Sequence, residues 1–305
     1  MARIDPDKAA GALLGLAVGD ALGAPVSGLG AEALAGRAHS EMTGGGLYGL
    51  RPGQGTGDTG MTMTLASSLI EQGGFEADRV LASYVSWYRT DPPGMSEQMR
   101  QVLESVAGGA DAYRATSAVH FDGAATSGNG ALARTTPIGI AFAGRDDALR
   151  DATVADAALT HFDPLAGKVA LLHNQVLSWV LTAGPQLVFD QLKNPEWLDD
   201  RIEDVVIPAT AGVLGYAVAL SKSEPGTALA SLAIALAAFF NADDFEQGLT
   251  WAVNLGGDAD TDGAVTGALL GARLGTAAIP ARWLDALEGR AEIEAAGRQL
   301  AALAG

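Results

Sequence analysis

Apolar residues along this chain recur mostly at spacings of three and four, as in amphipathic helices, and alternating β-branched runs are scarce. Ala and Leu, which are strong helix formers, are abundant. The pattern predicts an all-α fold, with helices over residues 8–19, 60–73, 76–89, 95–107, 129–143, 164–182, 209–222, 226–240, 243–254, 262–275, 281–288 and 291–303.

The arrangement of these helices is partly readable from their composition. Helices 226–240 and 262–275 are apolar almost all round, which predicts that they lie in the middle of a bundle. We expect segment 108–126, which lacks periodicity, to be a mobile flap. No composition shift, low-complexity tract or fixed-period repeat divides the chain, so we expect a single domain over residues 1–305. Clusters of Gly predict loops at 26–31, 43–60, 108–130 and 255–263.

Composition and charge exclude several classes of protein. None of the 305 residues is Cys, which excludes a disulfide scaffold, a thiolate zinc site, an iron–sulfur cluster and a cysteine nucleophile. The chain has 19 Lys and Arg against 36 Asp and Glu, a formal net charge of −17. This acidity argues against non-specific nucleic-acid binding and against an anionic membrane surface, and it favours a soluble monomer. Phosphorylated small molecules remain candidates, because metal ions and helix N-termini can bind them.

The N-terminal apolar segment is the part of the sequence nearest to a targeting signal. Asp5, Asp7 and Lys8 precede it, Gly interrupts it and Asp20 follows it directly. A secretory signal has a positive lead and an unbroken apolar run. No stretch is predicted to reach the roughly 18 to 20 apolar residues of a membrane span. We therefore expect a buried first helix and a cytoplasmic protein.

The most informative motif is G-G-D-A-D-T-D-G at residues 256–263, between two apolar helices. It places three carboxylates and a hydroxyl within five residues, and buried acids repel one another unless a cation or hydrogen-bond donors compensate. A D-x-D-T unit offers hard oxygen ligands that suit Mg²⁺, Mn²⁺ or Ca²⁺. The alternative is a capping cluster, in which Asp260 or Asp262 caps helix 262–275.

Three other polar segments are individually weak signals. The segment G-Q-G-T-G-D-T at 53–59 opens a helix, where Thr or Asp is an ordinary cap. The segment S-G-N-G at 127–130, followed by Arg134, is either a cradle of N–H groups for phosphate or a tight turn with a cap. His161 lies beside a helix start, where a histidine is more often a structural hydrogen-bond partner than a catalyst.

In their order and spacing these segments resemble the ADP-ribosylglycohydrolases, the family of dinitrogenase-reductase-activating glycohydrolase and the animal ADP-ribosylarginine and ADP-ribosylserine hydrolases. The resemblance implies a compact orthogonal multi-helix bundle with a binuclear Mg²⁺ or Mn²⁺ centre at the bottom of a cleft. ADP-ribose would lie in the cleft, and the bond from its distal ribose to an acceptor would be hydrolysed. The matching segments are GALLGLAVGDALGAPV at 11–26, T-x-D-T at 56–59, SGNGALARTTP at 127–137, TH at 160–161 and, most specifically, VNLGGDADTDGAVTGALLGARLGTAAIPARWLDAL at 253–287.

The resemblance also implies roles for individual residues. Tyr216 would replace the aromatic residue that stacks on the ligand in many relatives. The acids that would take part in catalysis are Asp58, Asp260 and Asp91. The metal ligands would be Thr56, Asp58, Asp258, Asp260 and Thr261. The residues that would contact the ligand are Ser127, Gly128, Asn129, Gly130 and His161.

The chain departs from the family pattern at several usual acids. Gly57 stands where a metal-binding Asp is usual, and Ser27 stands where a Glu is common. Pro92 takes the position of a further Asp, with Asp91 one step earlier. Without an acid at 57, the ion held by the N-terminal motif should bind more weakly. Without the Glu, the obvious general base is missing.

These departures leave three interpretations of function. The first is an active metal-dependent hydrolase with an altered site. The second is a catalytically silent homologue that binds ADP-ribose or a related nucleotide. The third is a hydrolase that acts on a different glycosidic substrate.

Overall fold

A computed structural model describes residues 4–36, 38–123, 127–193 and 198–304. Within these ranges the backbone is helical, with isolated bridge pairs as its only β pairing, which confirms the all-α prediction. The helices are α1 (Pro6–Gly23), α2 (Ala31–Leu34), α3 (Gly57–Gln72), α4 (Ala77–Tyr88), α5 (Glu97–Ala107), α6 (Ala112–Phe121), α7 (Gly130–Arg134), α8 (Thr136–Ala141), α9 (Asp146–Ala158), α10 (Pro164–Ala183), α11 (Pro185–Leu192), α12 (Asp200–Thr210), α13 (Leu214–Ser223), α14 (Ala228–Asn241), α15 (Phe245–Val253), α16 (Ala259–Leu274), α17 (Ala281–Ala286) and α18 (Arg290–Ala304), with 3₁₀ turns at Ala24–Val26 and Thr276–Ala278.

Several helices differ from the sequence prediction. The pattern missed α2, α9, α11 and α12; α2 and α11 are short, and α9 and α12 have acidic residues in their first turns. Residues 112–121, predicted as part of a loop, form helix α6, so the loop prediction is wrong there. Residues 124–126 of that segment lie outside the described residues.

The helix predicted over 129–143 is divided into α7 and α8. Thr135 links the two, and Pro137 stands in the first turn of α8. Proline suits the start of a helix because it lacks an N–H group and its φ angle is already near the helical value. The proline therefore marks a new helix start within a sequence that reads as one continuous period.

Helices α1 and α16 pack as an antiparallel pair along a stripe of glycines. A Cβ atom added to Gly15 would lie 2.1 Å from the carbonyl oxygen of Gly267, and one added to Gly267 would lie 2.0 Å from that of Gly15. Gly19 and Gly263 face each other in the same way. The two backbones therefore approach more closely than side chains allow. This packing brings the end of α1 beside the start of α16.

Helix α1 also forms part of the hydrophobic core. By length and hydropathy alone, Pro6–Val26 is apolar enough to cross a membrane, so the prediction that no stretch reaches that threshold is wrong. However, 94% of the apolar 18-residue window within this segment is buried inside the protein. The core helix of a soluble protein passes the same test. The hydrophobic cluster that includes α1 extends from Ile4 to Ala304, so it draws on both ends of the chain.

Candidate active site

A cleft of about 610 Å³ opens at the starts of α3 and α16. Acidic side chains line one part of it, and the 127–130 loop lies next to them, because Asn129 Nδ2 donates to Asp258 Oδ2 at 2.7 Å. Its polar lining comes from widely separated parts of the chain, namely Ser27, Tyr48, Asp58, Ser96, Glu97, Gln98, Asn129, Arg134, His161, Asp258, Asp260 and Thr261.

The acidic end of the cleft joins motifs from both ends of the sequence. Asp58 lies in the first turn of α3, and Asp260 lies in the first turn of α16. The hydroxyl Oγ1 of Thr261 donates to Oδ2 of Asp58 at 2.8 Å. The structure thus brings the T-x-D-T and D-x-D-T segments into direct contact.

The two segments differ in how they begin their helices. Thr56 is the N-cap of α3, and its side chain accepts a hydrogen bond from the backbone N–H of Asp58. Asp258 is the N-cap of α16, yet its side chain makes no capping hydrogen bond. Asp260 and Asp262 lie inside the first turn and not before it. A capping role therefore explains Thr56 but not the three acids of the C-terminal motif.

Asp20 is a member of this acidic group that the sequence analysis missed. Its buried carboxylate accepts backbone hydrogen bonds from Thr56 at 2.9 Å and from Thr59 at 3.0 Å. It also accepts the hydroxyl hydrogen bond of Thr59 at 2.6 Å. Asp20 thereby fixes the first turn of α3. A single acid inside an otherwise apolar helix was a usable signal, because unpaired acids are almost never fully buried.

Burial and mutual repulsion alter the ionisation of these acids. Burial raises the pKa of Asp58 well above its usual range, and the charges of Asp20, Asp260 and Asp258 raise it further. Burial, followed by the charges of Asp258 and Asp20, raises the pKa of Asp260 to about 8. These acids therefore repel one another, and only bound protons or a cation can offset that repulsion.

The donor set at this end suits a hard divalent cation. Carboxylate and hydroxyl oxygens are the ligands that Mg²⁺ and similar ions prefer. Each acid is hydrogen-bonded in the structure; for example, Ser27 Oγ donates to Asp260 Oδ1 at 2.7 Å, and Asn129 Nδ2 donates to Asp258 Oδ2 at 2.7 Å. In this arrangement, no three acids or histidines among the described residues converge closely enough to hold one ion. The types of residue therefore suit a metal ion. In this structure, however, their side chains are hydrogen-bonded to neighbouring groups and do not point to a common ion position.

Tyr48 lies at the same end of the cleft and was also missed. It follows a run of three glycines, Gly44 to Gly46, that all adopt positive φ. Burial, together with the charges of four acids led by Asp260, raises its pKa to about 12. The phenol therefore stays protonated at neutral pH and offers a hydrogen bond to a ligand.

Another part of the cleft lining is formed by the 127–130 loop, Arg134 and His161. The backbone N–H of Asn129 donates to Gly226 at 3.3 Å, and Asn129 makes no side-chain cap to α7. Arg134 is the one Lys or Arg among the described lining residues. Burial and the positive charge of Arg134 lower the pKa of His161 to about 3, so the ring is neutral at pH 7.

Four of the predicted residues do not line this cleft: Thr56, Asp91, Ser127 and Tyr216. Asp91 is 83% exposed at its side chain and pairs with Arg100 at 3.3 Å. Its position gives no support to the predicted catalytic role, because the turn points it into solvent. Tyr216 and Ser127 line a second cavity of about 370 Å³. The Ser127 hydroxyl donates to Asp163, the N-cap residue of α10.

A cluster of aromatic rings lies beside the His161 segment. Phe162 contacts Phe121 and His120 at ring-centroid distances of 5.4 and 5.2 Å, and Tyr113 at 5.6 Å. Phe121 is 75% exposed. The sequence analysis missed this cluster because three of its rings lie in the segment predicted as a flap. Exposed rings of this kind provide a surface on which a flat heterocycle can stack.

Comparisons with known proteins relate the whole chain to one family. The sequence profile of the ADP-ribosylglycohydrolases matches residues 2–305. The ADP-ribosyl-(dinitrogen reductase) glycohydrolase of Rhodospirillum rubrum is 31% identical over 293 residues, covering 94% of this chain and 92% of that protein. An ADP-ribosylarginine hydrolase of Serratia proteamaculans is 30% identical over 304 residues, covering 96% and 79%. A solved structure described as an ADP-ribosylglycohydrolase-related protein complex matches with a TM-score of 0.83 and 36% identity, covering 98% of this chain and 99% of that one.

Proposed function

Because the chain belongs to the ADP-ribosylglycohydrolase family, we propose that it is a metal-dependent hydrolase. It cleaves the bond between the distal ribose of ADP-ribose and an acceptor. One observation carries the proposal: acids separated by some two hundred residues, Asp58 and Asp260, lie together at one end of a cleft. The same cleft is also lined by Arg134 and His161.

The charge distribution along the cleft orients this ligand. Cleavage of a glycosidic bond passes through an oxocarbenium-like transition state, whose positive charge is stabilised by nearby carboxylates. The distal ribose therefore lies at the acidic end. The diphosphate lies towards the 127–130 loop, where backbone N–H groups favour an anion. The buried Arg134 supports this loop from behind. The exposed rings around Phe121 and Phe162, beside the His161 segment, then offer a stacking surface for adenine.

The acidic end would hold Mg²⁺ or Mn²⁺ through oxygen ligands. A divalent ion there would polarise the ribose hydroxyls and lower the pKa of a nearby water molecule. It would also neutralise the repulsion that raises the pKa of Asp58 and Asp260. The residues that would hold it are Thr56, Asp58, Asp258, Asp260 and Thr261.

Proton transfer falls to the acids that remain in the altered site. Ser27 donates its hydroxyl to Asp260 and cannot replace a glutamate as general base at neutral pH. Asp58 and Asp260 both have raised pKa values, and both line the cleft. They are therefore the residues placed to exchange a proton with the leaving group or the attacking water, while Tyr48 donates a hydrogen bond.

The first test is binding followed by turnover. Adding ADP-ribose with Mg²⁺ should raise the melting temperature, since a ligand at a hundred times its Kd adds about 2.7 kcal/mol of stability. Omitting the metal should weaken this shift. Release of ADP-ribose from ADP-ribosyl-arginine or ADP-ribosyl-serine is then measured by chromatography. Absence of both binding and release would contradict the proposal and favour a different glycosidic substrate.

A second candidate function is binding of ADP-ribose without turnover. Two observations favour it: Ser27 occupies the cleft where relatives commonly carry a base, and Gly57 brings no carboxylate to the lining. Tight binding of ADP-ribose without release from either ADP-ribosyl substrate would identify this function.

Restoring the two missing acids distinguishes an impaired enzyme from an intact one. A Cβ atom at Gly57 would lie 3.0 Å from the carbonyl oxygen of Gly94, so an Asp requires a small shift of that loop. We expect Gly57→Asp to tighten the weaker metal site about tenfold, equivalent to about 1.4 kcal/mol. Adding Ser27→Glu should then raise turnover. Mn²⁺ titration and kcat measure the two effects.

The control for these variants is Ser223→Glu, which adds a charge on the exposed end of α13. It should change neither the metal affinity nor kcat. If the Gly57→Asp and Ser27→Glu double variant behaves like this control, positions 27 and 57 do not contribute to the site.

A further inference from the structure

A buried ion pair with a tyrosine lies directly behind the cleft. Tyr84 from α4 donates its hydroxyl to Asp156 Oδ1 at 2.7 Å. Arg134 from α7 donates through Nε to Asp156 Oδ2 and to the Tyr84 oxygen, both at 3.1 Å. The Arg134 and Asp156 side chains are 0% and 1% exposed. We propose that these three residues form a clamp that positions the 127–130 loop against His161.

The guanidinium of Arg134 links the 127–130 loop to the backbone segment that precedes His161. Its Nη1 donates to the carbonyl oxygen of Gly130 at 3.3 Å, the last residue of the 127–130 loop. Its Nη2 donates to the backbone carbonyl of Asp156 at 2.8 Å, near the end of α9. The next residue, Ala157, accepts the backbone N–H of His161 at 2.9 Å. One side chain therefore sets the distance between the loop and the histidine.

That distance is short enough to matter for a ligand. A Cβ atom on Gly130 would lie 3.5 Å from Cε1 of His161 and 3.8 Å from its Nε2. Nδ1 of the same ring is 2.9 Å from the hydroxyl of Thr160, which fixes the ring plane. Displacement of Arg134 would move Gly130 and the imidazole edge relative to each other.

Stability alone is a weak explanation for this network. Burying a guanidinium and a carboxylate carries a desolvation cost, and well-packed apolar residues of similar volume are often as stable or more so. The fork of Arg134 instead uses its donors on two separate backbone segments, which a lysine cannot do. Tyr84, Arg134 and Asp156 act through these segments and are positioning residues, not catalytic ones.

Thr153 offers a matched control on the same helix as Asp156. Its hydroxyl donates to Leu149 at 2.7 Å and accepts from Asn174 at 2.9 Å. It is fully buried and does not line the cleft. Thr153→Val and Tyr84→Phe therefore each remove one buried hydroxyl, but only the second change touches the clamp.

The inference rests on the proposed function, because the two segments matter as a ligand site. The test compares Tyr84→Phe with Thr153→Val by calorimetric titration of ADP-ribose in Mn²⁺, and by Mn²⁺ affinity without nucleotide. We expect Tyr84→Phe to raise the Kd for ADP-ribose about tenfold, as misplaced binding groups do, and to leave Mn²⁺ affinity unchanged. Thr153→Val should lower the melting temperature and leave both affinities unchanged.

A second readout does not need a ligand. The imidazole ¹H–¹³C resonance of His161, assigned with His161→Gln, should shift in Tyr84→Phe and stay in place in Thr153→Val. If the parent binds no ADP-ribose, the proposed function fails, and this resonance alone decides the clamp. An unmoved resonance, or equal Kd values in both variants, would overturn the clamp. Full ADP-ribose affinity in Arg134→Lys would also overturn the clamp, because a positive charge without the branched guanidinium would then be sufficient.

Discussion

Replacing Asp260 by Asn should reduce hydrolysis about a thousandfold or more, while leaving the metal-free protein at least as stable as the parent. Loss of a single preorganised electrostatic group typically costs two to three orders of magnitude in kcat, and Asp260 also serves as a proposed metal ligand. The amide oxygen can still accept the hydrogen bond that Ser27 donates to Oδ1. Steady-state kinetics and urea unfolding in EDTA measure the two effects.

The stability effect should depend on pH in a definite direction. In the unfolded chain an Asp carboxyl titrates at about 3.9, whereas burial and neighbouring charges raise the pKa of Asp260 to about 8 in the folded state. The folded state thus binds the extra proton, and the stability this provides is lost as pH rises through about 8. The free energy of unfolding of Asp260→Asn relative to the parent should therefore increase between pH 5 and pH 8.

Asp91→Asn is the matched control, because it makes the same change at an exposed acid outside the cleft. It should keep full activity and show no such rise with pH. Adding Mn²⁺ should stabilise the parent and Asp91→Asn, but not Asp260→Asn. Retained turnover in Asp260→Asn, or a loss of its stability relative to the parent at pH 8, would contradict the placement of Asp260 in a crowded acidic site.

The sequence motifs could be read for residues that lie together, but less well for the short helices around them. The T-x-D-T and D-x-D-T segments are recognisable because polar residues interrupt apolar helices, and the structure joins them through Thr261 and Asp58. Asp20 and Tyr48 were missed because each belongs to the site only through tertiary packing. Asp91 shows the opposite limit, since a match in sequence register could not show that its turn points into solvent.

The glycines of α1 show one part of the fold that the sequence analysis did not predict, the pairing of α1 with α16. In the sequence they read as interruptions of an apolar run, which lower helix propensity. In the structure they recur every fourth residue on one face, and they lie against a matching stripe on α16. A period of four in Gly therefore carried information about helix pairing that hydrophobic periodicity does not measure. Helix α9, which the sequence analysis also missed, contains no such glycine repeat.

We expect Gly267→Ala, a change within this glycine stripe, to destabilise the protein strongly. The added Cβ would lie 2.0 Å from the carbonyl oxygen and 2.6 Å from the carbonyl carbon of Gly15. These are backbone atoms, so no side-chain rotation can relieve the contact, and α1 and α16 must separate. Overpacking a core costs about 1–3 kcal/mol and sometimes more; we expect at least about 3 kcal/mol here, measured by urea unfolding.

Gly215→Ala is the control for this prediction. Gly215 lies in helix α13 with nothing within 4 Å of its added Cβ, so alanine should stabilise the protein by up to about 1 kcal/mol through helix propensity. Gly267→Ala should also lower turnover in the fraction that remains folded, because separating the helices moves Asp20 on α1 away from Asp260 on α16. Equal stabilities of the two variants would mean that the helices tolerate a wider spacing. The acids would then not depend on the glycine stripe for their position.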